Sequence, residues 1–192
     1  MKKIFILVGP SGSGKTTLGE YMKTLGIPEL VSHTTRKMRK GEIDGVTYHF
    51  ISKGEFEKIK RIEESEYDGN FYCLSKEEVD NKLAKFDKVF AITDIDGMRQ
   101  VKEKYPVETV SIFIEVTIDE MIDRMIARGD SEENVAKRIS HAIENNELEN
   151  GKYCDYTIRN DELFKAKHSL DQVIRLEYFW DTQKKALSTT HD

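Results

Sequence analysis

The run Gly9-Pro10-Ser11-Gly12-Ser13-Gly14-Lys15-Thr16 has the residue types and spacing that hold a chain of phosphates, G-x-x-x-x-G-K-[ST]. Its glycines let successive backbone N–H groups converge on phosphate oxygens. Lys15 is placed to reach the outer phosphates, and the Thr16 hydroxyl to take a magnesium ion. A helix opening at Lys15 aims its positive dipole end at the same anion. Gly9, Ser11, Gly12, Ser13, Gly14, Lys15, Thr16 and Thr17 are therefore candidate phosphate-site residues.

A second group lies further along the chain. Arg36, Arg39 and Tyr48 are two guanidiniums and a phenol that can converge on one phosphate, Arg being suited to bidentate pairing. On residue types alone, a solvated basic loop accounts for them equally well. Glu63, Glu64 and Glu66 form an acidic stretch whose ordinary reading is a solvated face. Arg124 and Arg128 are spaced i, i+4 and so share one helix face, a mildly unfavourable pairing unless an anion lies between them.

These residues must be carried by a scaffold, and the apolar pattern describes one. Residues 4–8 are a continuous apolar run and 89–93 and 110–116 are largely apolar, with a shorter candidate at 156–158, as expected of parallel strands covered on both faces. Helical spacing follows over residues 16–25, after the capping box Thr117-Ile118-Asp119-Glu120, from Ser131 through Ile143, and from about Asp161 towards Trp180. Strands alternating with helices predict an α/β fold with a parallel sheet and right-handed crossovers, and ligands at the carboxyl ends of its strands. Residues 32–78 break the rhythm and read as an inserted binding subdomain or a long excursion.

The bulk properties narrow the function class. A length of 192 residues with 38% hydrophobic residues supports one core. A net charge of −5 argues against a protein whose main partner is a nucleic acid. Cys73 and Cys154 match no zinc spacing and read as free thiols of a reducing cytoplasm. No run approaches a membrane span, and the apolar stretch after Met1-Lys2-Lys3 is too short for a signal peptide. The histidines form no ligand spacing, and residues 176–192 extend a helix into a polar tail without a functional reading.

Residues 32–50 resemble the substrate-binding segment of the guanylate kinase family, S-x-T-T-R-x-x-R-x-G-E-x-x-G-x-x-Y-x-F, without a gap. Residues 62–72 are similar to that family's I-E-W-x-x-x-x-G-N-x-Y, and the likeness runs from Ile4 to about Asp161. The resemblance implies that Arg36, Arg39, Tyr48 and Tyr72 hold the phosphate of GMP, and that Ser32 and Glu63 contact the base. Guanine presents N1–H beside an exocyclic amine, a donor pair that one carboxylate accepts and that adenine lacks. Against the family's D-I-D-x-Q-G, a gap-free match puts Asp94 on the guanine-contacting aspartate and Ile92 on the other. A two-residue deletion would instead match Asp94 and Asp96 to the pair. Arg124, Arg128 and Arg138 resemble the lid and later phosphate-binding arginines. Asn160, in Tyr156-Thr157-Ile158-Arg159-Asn160-Asp161, resembles an asparagine near the ATP adenine.

The implied architecture is a three-layer α/β P-loop kinase fold: core at 1–31, a GMP-binding subdomain at 32–78, core at 79–122, a lid at 123–138, and core with a C-terminal helix at 139–192. The implied reaction is phosphoryl transfer from ATP to GMP or dGMP with Mg2+, with Lys15, Arg36, Arg128 and Arg138 as catalytic residues. The implied state is a cytoplasmic monomer or homodimer with no nucleic-acid or membrane partner. Other phosphorylated acceptors, such as another nucleoside monophosphate or a ribose bisphosphate, and a non-catalytic interaction module are the alternatives; the intact Lys15 and Thr16 speak against the last. One departure stands out. Cys73-Leu74 replaces the family's Gly-[ST], so Leu74 is expected where a hydroxyl meets the base, raising KM for GMP. The stretch between Phe56 and Gly69 is also shorter than in other members.

Overall fold

The computed structural model describes residues 2–39, 41–67 and 69–188. Met1 and residues 189–192, which belong to the expected terminal units, lie outside the described residues, as do Lys40 and Asp68 of the expected insert. The strand β1 (Lys3–Val8) leads into α1 (Lys15–Thr24). Next come β2 (His33–Thr34), β3 (His49–Phe50), the single turn α2 (Lys53–Phe56), β4 (Arg61–Tyr67) and β5 (Asn70–Ser75). The chain continues through α3 (Lys76–Lys85), β6 (Lys88–Ile92), α4 (Ile95–Lys104), β7 (Thr109–Glu115), α5 (Ile118–Ala127) and α6 (Glu132–Glu144). A 3-10 helix (Glu147–Tyr153), β8 (Tyr156–Arg159) and the long α7 (Leu163–Ser188) complete it.

A four-stranded sheet in the order β6-β1-β7-β8 is parallel throughout. All six residues of β1 are buried, which is why it reads as an unbroken apolar run. Strand alternation divides them between two cores. Phe5 and Leu7 pack with Leu18 and Met22 of α1 and Leu170 of α7 on one face. Ile4, Ile6 and Val8 pack with Val79 of α3 and Met98 of α4 on the other. The result is an α/β fold in three layers. Strand starts precede the apolar runs by one residue because Lys3 and Lys88 pair with each other in the ladder. Lys3 is tolerated at 8% exposure since its ammonium meets Glu177 at 2.8 Å.

Helix boundaries follow their caps. Thr117 and Glu120 form a reciprocal capping box on α5, and Ser131 caps α6. The final helix begins at Leu163, a little after the expected Asp161.

Residues 33–75 build a separate sheet, β3-β2-β5-β4. Its register places Thr34 beside Phe50 and opposite Tyr72, with Ser65 opposite Tyr72 and Glu63 opposite Leu74. Opposed residues share a face, so strands distant in sequence contribute to one surface. The ladder between β4 and β5 is irregular between Arg61 and Glu63, so that Ile62 has no partner in the register.

Candidate active site

At the carboxyl end of β1 the glycine-rich loop turns back into α1. Gly14 caps that helix with φ of 92°, in the left-handed region, and a side chain there would run into the Asn160 amide. A Cβ on Gly9 would lie 2.8 Å from the Ile114 carbonyl. Lys15 folds over the loop, its Nζ donating to Gly9 O at 2.6 Å and Pro10 O at 2.9 Å. Burial lowers its pKa to about 8. Glu147 and Asp94 oppose that shift, whereas Arg128 and Arg138 reinforce it. Thr16 and Thr17 are exposed on the first turn of α1.

The loop is braced from elements over a hundred residues away. Arg124 Nη1 donates to the carbonyls of Gly12 and Ser13 at 3.3 and 3.4 Å, and its Nη2 reaches Asn160 O at 2.5 Å. Asn160, at the end of β8, is buried and donates Nδ2 to Ser13 O at 2.7 Å. Arg138 Nη1 donates to Ser11 Oγ at 2.9 Å. Arg128 lies one residue past α5 and pairs with Asp130. Thus Arg124, Arg138 and Asn160 meet the loop, while Arg128 turns to its own neighbour. Among the described residues, Ser13 Oγ is buried without a hydrogen-bond partner.

The second sheet assembles the other group. Arg36 forks onto Glu42 through Nη1–Oε2 at 3.1 Å and Nη2–Oε1 at 2.6 Å. Its guanidinium carbon is 5.6 Å from the Tyr48 ring centre, and Tyr48 and Tyr72 meet edge-on at 5.8 Å. Arg39 is exposed and its backbone N–H donates to Glu42 Oε2 at 2.6 Å. Ser32 is half-buried, and its carbonyl accepts the His49 N–H at 2.9 Å. Glu42 was not read from the sequence as a site residue. Its signals are its place as the specified glutamate of the segment at residues 32–50 and its position six residues after Arg36.

Glu63 is 7% exposed. Its Oε2 accepts the Leu74 N–H at 3.1 Å, and its Oε1 accepts the Thr93 hydroxyl at 3.4 Å. A Cβ on Gly97 would sit 2.9 Å from Oε1, so the carboxylate lies directly on the first turn of α4. Burial, helped by the charge on Asp94, pushes its pKa up to about 7. Asp94 caps α4 by accepting the Gly97 N–H at 2.7 Å. It is thus the carboxylate whose field reaches both Glu63 and Lys15. Asp96 points outward and pairs with Arg99 at 2.9 Å, its side chain 75% exposed.

Leu74 lies beside Glu63, but its side chain is turned into the core. Its backbone N–H meets Glu63, but the side chain is 2% exposed and packs with Ile62, Val79 and Met98. The end of β5 lies against the core, so a hydroxyl placed there would enter an apolar environment rather than an open pocket.

The family model for guanylate kinase matches residues 1–177. The guanylate kinase of Wolinella succinogenes is 40% identical over 90% of this chain and 83% of its own length. That of Carboxydothermus hydrogenoformans is 39% identical over 91% of this chain and 88% of its own. The chain belongs to the guanylate kinase family. Membership makes it a nucleoside monophosphate kinase, and the backbone agrees. The crystal structure of guanylate kinase from Anaplasma phagocytophilum superposes with a TM-score of 0.64 at 26% identity, covering 92% of this chain and 85% of that one. As in other α/β folds, the guanylate kinase loop and Asp94 lie at the carboxyl ends of parallel strands. No helix among the described residues is long and apolar enough to cross a membrane.

Proposed function

We propose that this chain transfers the γ-phosphoryl group of ATP to GMP or dGMP, giving ADP and GDP or dGDP. The observation that carries this reading is the pair of half-sites joined at Asp94, a braced phosphate loop with Lys15 on one side and the buried acceptor Glu63 on the other. In this reading Gly9, Ser11, Gly12, Ser13, Gly14, Lys15, Thr16 and Thr17 receive the ATP phosphates. Asn160 and Arg124 brace that loop beside the adenosine. Arg36, Arg39, Tyr48 and Tyr72 hold the acceptor phosphate, and Glu63, Ser32 and Asp94 read guanine. Residues 32–78 act as the acceptor subdomain and 123–138 as the lid.

An oxygen of the GMP phosphate attacks the γ-phosphorus as the bond to the ADP oxygen breaks. The acceptor oxygen is already anionic, so no general base is required. Catalysis is positioning and charge neutralisation by the loop amides, Lys15, Arg36, Arg128 and Arg138. The ligand chemistry suits Mg2+, since the exposed Thr16 hydroxyl at the head of α1 is a hard oxygen donor and Asp94 contributes charge nearby. Bound with ATP, the ion would neutralise charge on the phosphates. Residence in a reducing cytoplasm fits Cys73 and Cys154, free thiols whose pKa values burial pushes up to about 12 and about 11.

An ADP-release assay across all nucleoside monophosphates tests the assignment. GMP and dGMP should show the highest kcat/KM. A higher value with AMP, CMP or UMP would overturn the substrate and leave the kinase chemistry standing.

A further inference from the structure

The small sheet ends at β4, whose outer edge would present unpaired backbone groups. At Glu64 that edge is met by a side chain. Gln100, on α4, accepts the Glu64 N–H on Oε1 at 3.1 Å and donates Nε2 to Glu64 O at 3.2 Å. A carboxamide thus stands in for a residue of a neighbouring strand, closing both hydrogen bonds at one position. Glu64 directly follows Glu63, so holding its peptide groups fixes the direction in which the Glu63 side chain leaves the backbone. That side chain is then held at its far end by Leu74 N–H, the Thr93 hydroxyl and the face of Gly97. Gln100 and Gly97 lie on the same helix, so α4 grips both the backbone and the head of the same segment.

We propose that Gln100 is a positioning residue for guanine recognition: its two-point pairing with the Glu64 backbone holds the Glu63 carboxylate at the angle and depth that accept the guanine donor edge. The inference rests on the reading that Glu63 receives the base. Its logic is pre-organisation, since a carboxylate that must accept two adjacent donors loses more from a small tilt than one that accepts a single donor. A groove of about 340 Å³ bordered by Arg61, Glu63, Glu64, Gln100 and Lys104 runs beside the clamp. When the carboxamide is removed, water in this groove takes over the freed N–H and C=O, so the sheet keeps its fold while Glu63 loses its fixed seat.

The test compares Gln100→Ala, Gln100→Glu, Glu63→Gln and the double variant Glu63→Gln/Gln100→Ala in steady-state kinetics, with melting temperature monitored. For Gln100→Ala, KM for GMP should rise about 3- to 30-fold, the loss of one to two neutral hydrogen bonds. KM for ATP and kcat should each stay within about twofold, a split that general loosening would not produce. Gln100→Glu keeps the acceptor but turns a carboxylate oxygen towards Glu64 O, so it should be at least as defective for GMP. In the double variant the GMP defect should be close to that of Glu63→Gln alone, because a seat has no value once its occupant is changed. A folded Gln100→Ala enzyme with unchanged KM for GMP, or with equal rises for GMP and ATP, would overturn the role of Gln100 and leave Glu63 as the base reader. If Glu63→Gln itself leaves KM for GMP unchanged, the base-reading assignment fails and the inference falls with it.

Discussion

The donor loop and the acceptor sheet are held in opposite ways. Around the loop, Arg124, Asn160 and Arg138 arrive from distant elements and bond to fixed backbone or hydroxyl groups, so the cradle exists before any nucleotide arrives. On the acceptor side β2 and β3 are two residues each, and Arg36 is forked onto Glu42. In the proposed function an arriving acceptor phosphate must share or displace that carboxylate. One half is a preformed backbone mould, and the other is a set of side chains that exchange partners. The first should tolerate almost no change in its residues, and the second should show its defects in KM.

Removing Lys15 tests the mould most severely. Lys15→Ala should lower kcat by about 10²–10³-fold, the loss of a charge stabiliser at the transferring phosphoryl group. GMP binding by calorimetry should be retained, and a kcat above a tenth of the original would contradict the role.

Glu63→Gln comes next. Its amide presents one acceptor and an NH₂ group to two guanine donors, so GMP affinity should fall about 10- to 150-fold while ATP affinity holds. The raised pKa adds a pH signature. If, as proposed, the ionised form accepts the base, KM for GMP should climb as pH is lowered through about 7, and the variant should lose that dependence. Stability runs the other way. A carboxyl whose folded pKa exceeds its unfolded one contributes stability at low pH and loses it as pH rises through about 7. Glu63→Gln should therefore melt above the original chain at pH 8, with the gap closing by pH 5.

Leu74→Thr probes the border between acceptor sheet and core. It should cost about 2–4 kcal/mol in denaturant unfolding, as for other truncations of a buried leucine, without lowering KM for GMP. The smallest effect belongs to Asp96. Asp96→Asn should change KM for GMP by less than about twofold, as for an exposed ion pair, whereas Asp94→Asn should raise it several-fold. Equal effects would favour the alignment that uses both aspartates.

The uneven legibility of the two halves has the same origin as their uneven construction. The loop is contiguous, so Gly9 to Thr16 declare it by type and spacing, and β1 declares itself by burial on both faces. Strand ends at Lys3 and Lys88 lie outside the apolar runs because a charged residue gives no sign of its place in a ladder, and the Glu177 partner that lets Lys3 be buried comes from α7. The burial of Leu74 depends on β5 ending against Val79 of α3 and Met98 of α4, which is not a local property. Gln100 carries no motif of its own, and Glu42 is one position of the segment at residues 32–50 with no sign there of its pairing to Arg36. They acquire meaning only when β4 meets α4 and when the loop after β2 folds back.

The closure of β4 by a side chain also bears on how this molecule behaves in a crowd. An open strand edge is a template on which a second copy can grow a ladder, the first step of aggregation. Here the middle of that edge, the Glu64 N–H and C=O, is already taken by the Gln100 amide, and the exposed Glu64 and Glu66 side chains place charge beside it. The sheet proposed to admit the acceptor therefore has the centre of its free edge closed by the protein's own helix, so solubility and substrate access need not compete there.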